Sequence, residues 1–117
     1  MAIGIIATLR VQPGKEAEFE GVFAELAPAV AANEPGNSYY RLFRTGEAGM
    51  YKVLECYDDE AAVEAHRASD HFRSLGAKLG PCLAGAPEIV TAAVVPAIVT
   101  VAGAGLSGYG QPAVTAA

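Results

Sequence analysis

His66 and Glu55 are the two side chains whose places in the sequence favour acid–base chemistry. His66 lies on the apolar face of a predicted helix, and an imidazole with an ordinary pKa near ~6.5 is a serviceable base at neutral pH. Glu55 lies in the middle of an apolar strand, where a carboxylate is costly unless it is exposed or paired. We expect a pair in which His66 is the base and Glu55 orients it. The alternative is a structural Glu–His or Glu–backbone hydrogen bond that only holds the helix in place.

His71 begins the next predicted helical segment, beside charged residues, and we expect its side chain to be exposed. The two histidines lie on different elements, and no third ligand follows at a recognisable spacing, so we expect no metal site. Cys56 and Cys82 are assigned no chemistry, because free cysteines in a reducing compartment are typically small buried side chains.

Hydrophobic periodicity predicts the elements that position these residues. Residues 3–11 alternate between two faces, which predicts a first strand that ends at Pro13-Gly14. Apolar residues at helical spacing from Phe19 predict a helix that kinks or ends at Pro28, because proline lacks the amide donor. Further strands are predicted at residues 38–44, 50–57 and 88–95, and helical segments at Asp58 or Asp59 and at Ser69 or Asp70.

The element order β-α-β-β-α-β predicts an α+β fold of the ferredoxin-like type, with helices on one face of an antiparallel sheet. Both faces of the strands are apolar, as in Ile5-Ile6 and Ile89-Val90. One helix layer covers one face, so we expect a second copy to cover the other in a homodimer. The predicted domain spans residues 1–95. Residues 96–117 form an uncharged tail, with an added strand at 98–101 that covers an edge or the partner, then coil.

Composition and charge exclude several classes of function. The 117-residue chain has a net charge of −5 and scattered basic residues, so it lacks the basic stripe that nucleic acid requires. The same charge disfavours an anionic membrane, and the apolar stretch 92–106 is too short and interrupted for a span. The apolar start has no basic segment before it, so we expect a cytoplasmic protein. The glycines at 103, 105 and 108 lack the helix and acidic residue that a flavin or nicotinamide site requires.

Several short motifs, in their order and spacing, resemble the antibiotic-biosynthesis monooxygenase domain. The resemblance covers residues 3–95 and is carried by Val11-Gln12-Pro13-Gly14-Lys15, Glu34-Pro35-Gly36, Tyr40, Glu55-Cys56-Tyr57-Asp58-Asp59-Glu60-Ala61 and His66-Arg67-Ala68-Ser69-Asp70-His71-Phe72. It implies a dimeric α+β barrel with a cavity between sheet and helices. The better-understood members oxidise phenolic or quinol substrates with O₂ and without metal or flavin. The haem-degrading branch is disfavoured, because Ala7, Tyr57 and Gly76 stand where it has Asn, Trp and His.

This resemblance and the His66–Glu55 pair predict a cofactor-free monooxygenase that oxidises a small phenolic or quinol substrate with O₂ in a water-excluding pocket. His66 deprotonates the phenol in this hypothesis. The substrate-binding residues are Tyr40, Tyr57, Phe72 and Phe23, and packing is the alternative role of the two tyrosines. Two other functions stay open: an isomerase or degradative enzyme that uses the same pair for proton transfer, and a non-catalytic domain that binds an apolar ligand.

Overall fold

In the computed structural model, helices pack on one face of a four-stranded antiparallel sheet of order β2-β3-β1-β4. The structure describes residues 1–96 and, beyond them, the backbone of residues 99–101 and 114–116. The elements are β1 (Ile3–Arg10), α1 (Glu16–Asn33), β2 (Asn37–Arg44), β3 (Met50–Tyr57), α2 (Glu60–Ala68), α3 (Asp70–Leu79), a 3₁₀ turn (Gly80–Cys82) and β4 (Glu88–Ala93). The predicted α+β, ferredoxin-like fold is confirmed. Its second helical region consists of two helices, α2 and α3, which meet at Ser69.

The central strand β1 pairs antiparallel with both β3 and β4. Its period of two places Ile5, Ala7 and Leu9 in the core, whereas Ile6 is 44% exposed on the opposite face. This alternation determines which side chains of the sheet contact the helices. Side chains on the inward face are therefore the ones that can form a site between the sheet and the helices.

The helix α1 continues through Pro28 to Asn33, so of the two expected outcomes, a kink or an end, the end is wrong. Proline inside a helix costs about 3 kcal/mol. Leu26 and Val30, which flank it, are both 0% exposed, and burying two such side chains contributes about 3–6 kcal/mol. Tertiary packing therefore outweighs the lost hydrogen bond. Glu34 follows the last helical residue as the C-cap, and its amide donates to the carbonyl oxygen of Val30 at 3.0 Å.

Side-chain caps begin both short helices, Asp59 at the start of α2 and Ser69 at the corner between α2 and α3. Asp59 accepts a hydrogen bond from the amide of Ala62 at 2.9 Å, and Ser69 accepts one from the amide of Phe72 at 3.2 Å. The Ser69 hydroxyl also donates to the carbonyl oxygen of His66 at 2.7 Å. These bonds satisfy helix-end groups and hold the two helices in a fixed relation.

The sheet face that the helices leave free carries exposed apolar side chains. Ile6, Phe43 and Val90 are 44%, 41% and 57% exposed in the single chain. Such a patch is typical of a surface that meets a partner.

Beyond the main sheet, β5 (Val99–Val101) pairs antiparallel with β6 (Val114–Ala116) in a separate two-stranded sheet. β6 lies where coil is predicted, and Ile98 and the rest of the predicted coil lie outside the described residues. Among the helices of the described part of the chain, none has the length and apolar character needed to cross a membrane.

Candidate functional site

A cavity of about 160 Å³ lies between the inward face of the sheet and the helices. Its wall is almost entirely apolar, and Glu55 is the one carboxylate in it. The predicted substrate-binding residues Tyr40, Phe72 and Phe23 line it, whereas Tyr57 and the predicted base His66 do not. The lining residues are Ala7, Leu9, Phe23, Tyr40, Val53, Glu55, Phe72, Gly76, Leu79, Leu83, Pro87 and Ile89.

Glu55 enters the cavity from β3, between the inward-facing Val53 and Tyr57. The Tyr57 hydroxyl donates a hydrogen bond to Glu55 Oε1 at 2.7 Å. Burial raises the pKa of Glu55, and the Tyr57 hydrogen bond and the nearby His66 oppose that rise only in part. A carboxylate with a raised pKa is a stronger base than an exposed one, so Glu55 is suited to accept a proton from a ligand in the cavity.

Tyr40 stands directly opposite Glu55 on the neighbouring strand β2. A register shift between Asn37 and Tyr39 inserts one extra residue, and this bulge turns Tyr40 inward. Its ring stacks on Phe23 at a centroid distance of 5.6 Å and an interplanar angle of 11°. Burial, and then the negative charges of Glu55 and Glu34, raise the pKa of Tyr40, so its hydroxyl keeps its proton at neutral pH and can donate a hydrogen bond.

His66 lies one layer behind the cavity wall and is 4% exposed. The rings of Tyr40, Tyr57 and Phe72 surround it at centroid distances of 5.3, 5.5 and 4.4 Å. Its Nδ1 atom lies 2.9 Å from Oε2 of Glu34 and 3.0 Å from Oε1. The predicted pairing of His66 with Glu55 is therefore wrong, because Glu34 is the carboxylate that holds the imidazole.

Glu34 is the residue that sequence reasoning missed. It sits at the end of α1 with its side chain 6% exposed, although Glu34-Pro35-Gly36 has the composition of a surface loop. A glutamate in a turn is ordinarily solvated, and only the meeting of this turn with the α2–α3 corner buries it. The pairing of the Glu34 motif with the His66 motif in the family resemblance was the available indication.

His71 also contacts Glu34, through a hydrogen bond between Nε2 and Oε2, and its side chain is 15% exposed. The expected exposure of His71 is therefore wrong. Because Glu34, His66 and His71 meet at one point, the third ligand that the sequence spacing lacks is present in three dimensions.

A larger cleft of about 550 Å³ lies elsewhere, between the start of β1, the end of β4 and the first turn of α2. Its carboxylates are Asp59, which caps α2, and Glu60. It is an open surface groove, whereas the smaller cavity joins an apolar wall to a few converging polar groups, as ligand sites do.

Comparisons with known proteins show the family and agree with the fold. A sequence model of the family described as antibiotic biosynthesis monooxygenase matches residues 2–78. The putative monooxygenase YcnE of Bacillus subtilis (strain 168) is 38% identical over 73 residues, which are 62% of this chain and 76% of that relative. The crystal structure of a putative antibiotic biosynthesis monooxygenase from Caulobacter crescentus is 50% identical, with a TM-score of 0.78 over 80% of this chain and 90% of that one. A mutant of SnoaB, a cofactor-independent oxygenase from Streptomyces nogalater, is 24% identical with a TM-score of 0.69 over 80% and 92% of the two chains, and supports the fold alone.

Proposed function

Because this chain belongs to the antibiotic biosynthesis monooxygenase family, we propose that it is a cofactor-independent monooxygenase that oxidises a single-ring phenol or quinol with O₂. The observation that carries the proposal is the apolar cavity whose wall contains Glu55 and Tyr40 as neighbours on adjacent strands. SnoaB, a cofactor-independent oxygenase, has the same fold, so this architecture can host such chemistry.

The size of the cavity selects the substrate class. An engineered apolar cavity of about 150 Å³ binds benzene. The cavity here, at about 160 Å³, is of similar volume and therefore suits one aromatic ring. The stacked Phe23 and Tyr40 rings and the edge of Phe72 offer flat apolar surfaces for such a ring.

Glu55 and Tyr40 have different roles in the proposed reaction. Glu55 takes the proton of the substrate hydroxyl, because it is the carboxylate in the wall and its pKa is raised by burial. Tyr40 donates a hydrogen bond to the substrate oxygen as negative charge develops on it, which is the type of stabilisation that is strongest in a water-excluded site. Tyr57 orients Glu55 through its hydroxyl.

His66 becomes a positioning residue in this scheme. It packs against Tyr40 and Phe72, which line the cavity, and Glu34 fixes its ring. The roles that the sequence assigns to His66 and Glu55 are therefore exchanged, because Glu55 reaches the cavity and His66 does not. Its removal should change the Michaelis constant through the Tyr40 position and, because His66 lowers the pKa of Glu55, should move the pH dependence set by Glu55 to higher pH.

The oxidation balances with O₂ as the only oxidant. The bound anion gives one electron to O₂, and the resulting radical and superoxide combine in a carbon–oxygen bond. Protonation, with Glu55 returning its proton, gives a hydroperoxide that loses water. For a hydroquinone the sum is hydroquinone plus O₂ to hydroxyquinone plus water, a four-electron oxidation in which one oxygen atom enters the ring. The apolar wall keeps bulk water from the reactive intermediates.

The assembly and compartment belong to the same proposal. A second copy of the chain covers the apolar outer face around Ile6 and Val90, forming a homodimer. Cys56 and Cys82 are free thiols, which suits a reducing cytoplasm.

The proposal is tested by O₂ uptake with single-ring hydroquinones in buffer that contains EDTA. Wild type should consume one O₂ per hydroxyquinone formed, and Glu55→Gln should lose at least about a hundredfold in kcat, as expected for a general base. Glu64→Gln, a change at an exposed helical glutamate, is the matched control and should keep full activity.

Uptake that Glu55→Gln leaves intact, or that requires an added cofactor, contradicts the proposal. Ligand-dependent thermal stabilisation without O₂ uptake would instead favour the non-catalytic binding function.

A further inference from the structure

Three potential metal ligands from three elements converge beside the cavity. Glu34 ends α1, His66 lies in the last turn of α2 and His71 in the first turn of α3. One ligand atom from each lies within 4.8 Å of the other two. The side chains are 6%, 5% and 15% exposed, so the cluster is buried with one edge near the surface at His71.

We propose that Glu34, His66 and His71 form a binding site for a divalent transition-metal cation. Two imidazole nitrogens and one carboxylate leave room for solvent in the remaining coordination positions, as in three-ligand sites for Zn²⁺ or Fe²⁺. The site is distinct from the cavity and takes no part in the proposed oxidation.

The distances from the Glu34 carboxylate to the two imidazoles are close to those that such an ion requires. Metal–ligand bonds of about 2.0–2.2 Å at tetrahedral or octahedral angles place donor atoms about 2.9–3.5 Å apart. His66 Nδ1 and Glu34 Oε2 are 2.9 Å apart, which meets this requirement without movement. The His71 nitrogen lies closer to the carboxylate and must withdraw by a few tenths of an ångström, which its position at the rim permits.

The local charge also favours a cation. Glu34 and Glu55 are close enough for the charge of one to act on the other. Within residues 1–96, Glu34 is hydrogen-bonded to the two histidines and Glu55 to Tyr57, and neither carboxylate pairs with a lysine or arginine. Buried carboxylates require compensation. A metal ion bound by Glu34, His66 and His71 supplies that compensation.

The ligands are held in place by contacts that do not involve a metal. The Ser69 hydroxyl is bonded to the His66 carbonyl oxygen and to the Phe72 amide, which fixes the backbone between the two histidines. Aromatic rings pack around the His66 imidazole, and the Glu34 amide is bonded to the end of α1. The fold therefore forms without the ion, and binding is measurable on folded protein. The nitrogen-rich donor set selects against Mg²⁺ and Ca²⁺, which prefer oxygen ligands.

The test is calorimetric titration of EDTA-treated full-length protein with ZnCl₂, together with visible absorption on adding Co²⁺. Wild type should bind one ion per chain with a dissociation constant of about 1 μM or tighter and show the Co²⁺ bands of a nitrogen–oxygen site. His71→Ala and Glu34→Gln should each weaken binding at least about a hundredfold, because even outer-shell changes cost 10–100-fold. Glu64→Gln should bind as wild type does.

No binding of Zn²⁺ at 100 μM, or binding unchanged in both ligand variants, overturns the proposal. Circular dichroism shows whether each variant folds. If Glu34→Gln does not fold, His71→Ala provides the test, because His71 lies at the rim of the cluster. The titration needs no substrate, so its outcome is independent of the O₂-uptake assay. Mg²⁺ at the same concentration serves as the oxygen-preferring control ion.

Discussion

Replacing Gly76 by leucine should close the cavity from the helix side without disturbing the fold. Gly76 lies on the inward face of α3 and lines the cavity, and a Cβ atom placed on it meets nothing within 4 Å. Gly21 is the matched control, because it is an exposed residue inside α1 and its Cβ position is equally free. Both changes improve helix propensity, but only the one at Gly76 fills the cavity.

The magnitudes follow from the two environments. Gly→Leu within a helix gains about 0.8 kcal/mol at either site from backbone propensity. At Gly76 four further carbon groups enter apolar space at about 0.8 kcal/mol each, or up to about 3 kcal/mol. Imperfect packing offsets part of this, which leaves an extra gain of about 1–2 kcal/mol, or about 4–8 °C in Tm. At roughly 30 Å³ per group, the side chain fills about three-quarters of the cavity of 160 Å³.

Calorimetry measures the effect of each substitution on stability, and O₂ uptake measures its effect on activity. Gly76→Leu should melt above Gly21→Leu yet lose at least about a hundredfold in kcat/KM for single-ring hydroquinones, whereas Gly21→Leu should keep wild-type kinetics. Full activity in a folded, stabilised Gly76→Leu protein would refute the placement of the substrate in this cavity. A melting temperature below that of Gly21→Leu would show that the space does not accept a side chain.

The remaining predictions concern charge and assembly. Burial raises the pKa of Glu55, so the folded state holds its proton more tightly than the unfolded chain, and ionisation of Glu55 lowers stability as pH rises above its unfolded value of 4.5. In a series of melting experiments, Glu55→Gln should therefore have a higher Tm than wild type at pH 7, and this difference should shrink as the pH falls toward 4.5. A difference in Tm that does not depend on pH, or that Glu64→Gln also shows, would contradict the assignment. Ile6→Lys, on the outer sheet face next to Leu54 and Val90, should weaken the proposed homodimer at least about tenfold in sedimentation equilibrium, because it places a charge in the apolar surface that the second copy is proposed to cover. Ala32→Lys on exposed α1 is the control, and a wild-type chain that sediments as a monomer would overturn the dimer.

Local rules account for most of the elements. The alternation of apolar residues over 3–11 predicts β1 and the face that it buries, and the strand at residues 50–57 is found within its predicted bounds. Asp59 and Ser69 cap the helices as their side-chain chemistry requires. Pro28 is the exception, because the burial of Leu26 and Val30 is a property of the assembled core that no local pattern contains.

The cavity was predictable in kind but not in detail. Tyr40, Phe23 and Phe72 were identified from the resemblance and from their positions on the apolar faces, and all three line the cavity. The inward turn of Tyr40 depends on the bulge at Asn37–Tyr39, a backbone irregularity that the strand pattern does not reveal.

The sequence alone predicts the strands and helices, their order, the ferredoxin-like arrangement and the family resemblance. It can do so because periodicity, caps and short motifs are properties of neighbouring residues. Tertiary structure alone decides which charged groups meet. Glu34 is thirty-two residues from His66 and thirty-seven from His71, and only the packing of α1 against the α2–α3 corner brings the three together. The same packing leaves Glu55 with Tyr57 and the cavity, because a side chain's partners are determined by the path of the whole chain.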